Sequence, residues 1–243
     1  RNRGLMAAKG QYVHFIDADD FVVSNSYEKL YKIAAENDLD WLKTTCEGVD
    51  DATGETVPNR LYDLRDVDKW LDEKLLDFAR FPKKFFDIAV VPWNGIYKRE
   101  FLLDNQIRFN NLFCVNDRSF YITVCVKGKR MMVTRVPFVK HRVNVGGSLV
   151  GKRAQHFDCQ FRSYELMENI CKENSVKENV QFEILEHEMY DLFVWYRKFN
   201  DQNVLSDQLK EDMKSFLTKE RVEYFEKFGK RSRWLNFRDL IGV

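Results

Sequence analysis

A run of β-branched and aromatic residues, Tyr12-Val13-His14-Phe15-Ile16, stops at Asp17-Ala18-Asp19-Asp20. The run is apolar on both faces, which suits a buried strand of a parallel sheet. Carboxylates cannot continue such a strand, so the chain leaves the sheet there with its charges at the strand's C-terminal end. Open α/β sheets bind ligands at that edge. Ser26 is a candidate cap for a following helix with Leu30, Ile33 and Ala34 on its inner face, and Leu39–Lys43 reads as a second strand. Strand, acidic loop, helix and strand in that order predict an α/β fold.

Upstream, Leu5–Ala8 is helix-friendly and Gly10 stops it. Downstream, 47–65 is polar and turn-rich, a surface loop or hairpin. Helical spacing covers Asp66–Phe78 and Lys98–Asn105, and Asp117–Val126 reads as an amphipathic helix. Ile88–Val91 is a short apolar run, and Arg130–Thr134 and Phe138–His141 resemble strands before the Gly146-Gly147 break. From Arg153 onward strand-like alternation disappears. Phe157, Phe161, Tyr164 and Met167, then Phe182, Leu185, Met189 and Leu192, recur at helical spacing. The expected division is 1–150 as an α/β core and 151–243 as a helical subdomain.

Net charge is +1 over 243 residues, which excludes a general nucleic-acid binder. No apolar run reaches the ~18 residues that a spanning helix needs. The five cysteines (Cys46, Cys114, Cys125, Cys159, Cys171) are scattered and never form a C-x-x-C pair. They read as reduced thiols of a cytosolic protein rather than a disulfide framework or zinc site.

A D-x-D sequence at a strand end offers hard oxygen ligands, suited to Mg²⁺ or Mn²⁺ holding substrate phosphates. Such a metal would neutralise a departing diphosphate. The alternative is purely local, with Asp20 or Ser24 capping the next helix.

The segment Arg1-Asn2-Arg3-Gly4-Leu5, Ala8, Gly10 and Tyr12 through Asp20 closely resembles the "RNxGLxxAxGxYxxFxDxDD" segment of glycosyltransferase family 2. Trp93-Asn94-Gly95-Ile96-Tyr97 to Leu102 looks like that family's "WNKxYxxxxL", and Ile107-Arg108-Phe109 like its "IxF". Asn116-Asp117-Arg118-Ser119-Phe120 takes the place of its "ED…F". Phe138 to Leu149, with Arg142 and Ser148, resembles "YxYRxxxxSxx". The resemblance covers residues 1–150 in family order. It implies a GT-A fold and an inverting, nucleotide-sugar-dependent transferase.

Roles follow from the resemblance residue by residue. Asp17 is expected near the nucleotide ribose and Asp19 on the metal. Asp117 is expected to be the base that deprotonates an acceptor hydroxyl for in-line attack on the anomeric carbon. A positioned carboxylate contributes roughly 10²–10⁴-fold to such a step. Asn116 stands where the family often has Glu, and the alternative for Asp117 is a helix N-cap. Arg1 is expected near the nucleotide, since its planar fork suits phosphate, and Arg142 on the diphosphate. Trp93 and Asn94 resemble an acceptor-side or sugar-side wall, or belong to the core. His141 is a candidate third metal ligand, or an exposed or capping histidine.

The implied donor is a nucleotide-diphosphate sugar, UDP-linked, and the acceptor a glycan or lipid-linked molecule of bacterial surface polysaccharide synthesis. The tail Phe225–Arg238 interleaves basic and aromatic residues. It reads either as a peripheral contact with the anionic inner face of the membrane or as a docked terminal helix. Two other readings stand beside the transferase. One is a catalytically incompetent fragment or binding partner of another transferase; the other is a metal-dependent phosphohydrolase, which leaves the segments at Trp93 and Asn116 unexplained. In the family a nucleotide-holding strand-helix-strand region precedes the Arg-Asn-x-Gly segment. With no counterpart here, the expectation is an N-terminally incomplete core that binds UDP weakly or not at all by itself.

Overall fold

The computed structural model describes residues 1–59, 62, 64, 74–80, 82–86, 90–143 and 149–228. Two compact units divide the chain: residues 1–111 with 116–147, and 112–115 with 148–243.

The first unit is a mixed sheet with helices. Its elements are α1 (Asn2–Ala7), β1 (Tyr12–His14), β2 (Phe21–Val22), α2 (Ser26–Glu36), β3 (Trp41–Asp50), β4 (Thr56–Val57), α3 (Pro82–Phe86), β5 (Gly95–Lys98), α4 (Arg99–Asp104), α5 (Asn116–Lys127) and β6 (Met131–Val143). The strand order is β1-β5-β3-β6-β2, with β4 paired to β3. Among the described residues only β3 and β6 run parallel, from Trp41↔Met131 to Asp50↔Val143. Their register slips near Thr45↔Pro137, where proline has no N–H to give the ladder.

The first strand departs from its expectation. β1 is three residues long and pairs antiparallel with β5. Val13 and Phe15 are buried while Ile16 is 40% exposed, the alternation of a one-sided strand rather than an apolar run buried on both faces. Residues 47–57 do form a hairpin, β3 to β4. The two predicted strands 130–134 and 138–141 are one continuous β6. Ser26 does not cap α2. Its Oγ donates back to the Val23 carbonyl at 2.5 Å, and the cap position is Asn25, at φ 59° and without a side-chain cap bond. Residues 66–73, 88–89, 144–148 and 229–243 lie outside the described residues. With them go most of the predicted helix at 66–78, half of the run Ile88–Val91, the Gly146-Gly147 break, Ser148 and most of the basic-aromatic tail.

Leu42, Cys46, Ile96, Phe138 and Val139 of the sheet form one apolar cluster with Leu30 and Ala34 of α2. Trp41 and Tyr97 are stacked at 11°, with Tyr121 of α5 edge-on to Trp41. Gly95 is dictated by this packing, because a Cβ there would sit 2.8 Å from the Leu42 carbonyl. α5 is not amphipathic as expected. Phe120, Tyr121, Ile122, Val124 and Cys125 are all buried, which marks a helix enclosed nearly all round.

The second unit is helical: a 3-10 helix (Leu149–His156), then α6 (Asp158–Glu173), α7 (Glu178–Asp201), α8 (Asp207–Phe216) and α9 (Lys219–Phe228). α6 packs on α7 through Phe157, whose ring meets Tyr196 and Phe199. Arg221 of α9 grips Glu168 of α6 with Nη2–Oε2 at 2.7 Å while lying over the Phe216 ring at 4.2 Å. Among the described residues no helix is long and apolar enough to cross a membrane. No disulfide joins the five cysteines, all of which are buried.

Candidate functional site

Three segments far apart in sequence meet at Arg1. Its Nη2 donates to Asp17 Oδ1 at 2.7 Å, its Nη1 to Asn116 Oδ1 at 3.4 Å, and its guanidinium lies 5.1 Å from the centre of the Phe109 ring. Asn2 holds it there. The Asn2 side chain donates to the Phe109 carbonyl at 2.8 Å and accepts from the Phe109 N–H at 2.9 Å, as a strand neighbour would. The start of α1, the acidic loop and the first turn of α5 are thereby brought together, and Asp117 sits in that first turn. Just before it, Val115 adopts φ 52°. This is a strained backbone for a β-branched residue, costing of order 1–3 kcal/mol, and it fixes how the helix begins.

The acidic loop leads to a second group. The Arg142 N–H donates to Asp20 Oδ1 at 3.0 Å, while Asp20 Oδ2 is buried without a hydrogen-bond partner. Burial raises the Asp20 carboxyl above the usual carboxylate range. The Arg142 N–H and His141 oppose that shift, and the charges of Asp19 and Asp17 add to it. Asp19 is exposed. The Arg142 guanidinium is ion-paired with Asp51. Both arginines expected on a diphosphate are thus held by carboxylates, Arg1 by Asp17 and Arg142 by Asp51.

His141 stacks flat on Trp93, ring centres 4.9 Å apart and planes 4° apart, with Tyr62 edge-on to both. Its Nδ1 meets the Asn59 amide nitrogen at 3.1 Å. Trp93 is 4% exposed and Asn94 fully buried. The Asn94 backbone carbonyl accepts from the Thr44 hydroxyl at 2.9 Å, and neither atom of its side-chain amide has a partner. In this conformation Trp93 and Asn94 support the site from beneath, through His141 and the sheet, and do not line an open surface.

His14 underpins the same corner. Its Nε2 donates to the Trp93 carbonyl at 2.6 Å, so its Nδ1 accepts from the Tyr27 hydroxyl at 3.0 Å. Burial pushes its pKa down to about 4, and the ring is neutral at pH 7. Among the described residues no three His, Cys, Asp or Glu side chains converge into a ready cation site.

Sequence reasoning missed Lys43. It lies in the middle of β3 and is fully buried, and its Nζ donates to the Val91 carbonyl at 2.5 Å. A lysine within Trp41-Leu42-Lys43-Thr44-Thr45-Cys46 was the available signal. Asn2, Asp51 and Asn59 were also missed, because their partners come from other elements.

Residues 1–104 match the family model described as glycosyl transferase family 2. Over 110 residues the chain is 34% identical to the uncharacterized glycosyltransferase YibD of Escherichia coli (strain K12), covering 45% of this chain and 31% of YibD. Over 146 residues it is 26% identical to the poly(ribitol-phosphate) beta-glucosyltransferase of Bacillus spizizenii, covering 56% of this chain and 23% of that one. The chain therefore spans a third or less of the length of these two curated relatives. It superimposes on the crystal structure of S. aureus TarS 1-349 in complex with UDP with a TM-score of 0.60 at 18% identity, covering 89% of this chain and 57% of TarS 1-349. At that identity the likeness shows the fold, an α/β GT-A core followed by helices.

Proposed function

We propose that this chain, whose residues 1–104 match the glycosyl transferase family 2 model, takes part in moving a hexosyl or N-acetylhexosaminyl group from a UDP-sugar to a glycan or lipid-linked acceptor, with inversion. The observation that carries this reading is the convergence on Arg1 of Asp17 and Asn116, the neighbour of Asp117. It supports reading Arg1 as a cation for phosphate, Asp17 as a carboxylate for the nucleotide and Asp117, in the same first turn as Asn116, as the base for the acceptor. An alcohol is a poor nucleophile, and Asp117 removes its proton as it attacks. Arg1 and Arg142 exchange their carboxylate partners for the diphosphate when the donor arrives. The UDP in the TarS crystals and the relative named for poly(ribitol-phosphate) support a UDP donor and a polymeric acceptor.

The donor set suits a Mg²⁺ or Mn²⁺ ion that is completed by substrate. Such ions take one or two protein ligands plus phosphates. The unpartnered Asp20 Oδ2 marks where positive charge is wanted. Asp19 and His141 would hold the ion, which would neutralise the departing diphosphate. A metal-bound His donates its other ring N–H, so the Asn59 amide would turn to accept from His141 Nδ1. The setting is cytoplasmic, at the inner face of the membrane.

Calorimetry tests this part of the reading. UDP binding, weak in this chain by itself, should tighten with Mn²⁺ in the native chain and lose that dependence in Asp19→Ala. Equal metal dependence in both would refute the metal assignment.

A further inference from the structure

Among the described residues no carboxylate is bonded to the Lys43 ammonium. Its Nζ makes one hydrogen bond, to the Val91 carbonyl, and lies 5.2 Å from the Tyr121 ring centre and 5.8 Å from that of Trp41. The Val91 carbonyl opens the segment Pro92-Trp93-Asn94, which supports His141 and His14. Tyr121 belongs to a stripe on α5, because Asp117, Tyr121 and Cys125 recur every four residues and share one helix face. The ammonium therefore stands between the segment beneath the metal corner and the helix whose first turn carries the base.

Burying an ammonium without a bonded anion is costly. A structural core position of this size is better filled by Met or Leu. The cost makes sense where the charge is used. Burial dominates the environment of the Lys43 ammonium; the charge of Asp117, from α5, opposes it, while the Cys125 thiol, pushed up by its own burial, is uncharged. Tyr97 of β5 is buried beside the same groups and feels the charges of Arg1 and Asp117.

We propose that Lys43 is a positioning residue for the transfer reaction, tying the Val91–Asn94 segment to α5 and holding Asp117 ionised and in place. This rests on the reading of Asp117 as the base.

The test has two readouts. In chain labelled with ¹³Cε-lysine, the Lys43 resonance is titrated in the native protein and in Asp117→Asn. Removing the anion should lower the Lys43 pKa by roughly half a unit or more. An unchanged value would overturn the coupling, whether or not the chain transfers sugar. In the transfer assay, Lys43→Met should lower kcat roughly ten-fold or more and move the acid limb of its pH profile upward. KM for the donor should not change, and Lys43→Arg should restore part of kcat. A Lys43→Met enzyme with the native pH profile would overturn the role. Should Lys43→Met not fold, the Lys43→Arg profile and the Asp117→Asn titration decide. Should Asp117→Asn transfer sugar at the native rate, the base assignment fails, and the titration still reports separately on the coupling.

Discussion

The imidazole of His141 lies parallel to the indole of Trp93, planes 4° apart and centres 4.9 Å apart. The stack joins the start of β5 to the end of β6 and fixes the ring of the histidine expected on the metal. Trp93 is 4% exposed, so Trp93→Ala removes both a core side chain and the platform beneath His141. Urea unfolding should show a loss of about 3–5 kcal/mol, and Trp93→Phe, which keeps an aromatic face, should lose less. Equal losses in the two variants would contradict the role of the stack.

His14 gives the fold a specific acid sensitivity. The unfolded chain takes up this proton near 6.5 and the folded chain only near 4. Across that window the unfolded state binds more protons, so stability falls as pH is lowered from about 6.5 to 4. The loss attributable to His14 is about 3 kcal/mol, at about 1.4 kcal/mol per unit. His14→Gln should remove this component of the pH dependence of urea midpoints. An identical acid slope in native and variant protein would contradict it.

Lys43 carries the same signature in an alkaline window. Burial pushes its pKa down to about 7 from 10.5, so the unfolded state binds more protons between those values. The cost of burying the ammonium is largest below pH 7 and disappears as pH rises toward 10.5. Relative to Lys43→Met, native protein should gain about 1.4 kcal/mol per pH unit between pH 7 and 9. A constant difference would show that Lys43 stays charged in the fold.

Much of this architecture is legible in local sequence. The helices from 158 onward follow apolar spacing, and the hairpin near residue 50 follows turn chemistry. The pairing of β1 is not legible, because a five-residue apolar run fits a parallel strand and an antiparallel one equally well. The local pattern shows neither whether Ile16 is covered nor which strand neighbours Tyr12. The enclosure of α5 is hidden for a similar reason. Asp117, Arg118 and Lys127 flank the apolar residues of that helix and give it an amphipathic appearance. In the site, Asp17 and Asp117 stand out as motif residues. The meeting of Asp17 and Asn116 at Arg1, and the anchoring of Arg1 by Asn2 on Phe109, rest mainly on contacts that span about 100 residues. The Asp51 partner of Arg142 and the Val91 partner of Lys43 are invisible for the same reason.

We propose Asp117 as the base of a UDP-sugar transferase. The direct measurement is the initial rate of sugar transfer by Asp117→Asn with a UDP-sugar and Mn²⁺ supplied, beside its UDP affinity. The substitution keeps size and helix position and removes only the basic oxygen. The predicted result is a rate lower by roughly 10²–10⁴-fold with UDP affinity unchanged. Transfer at the native rate would contradict the account.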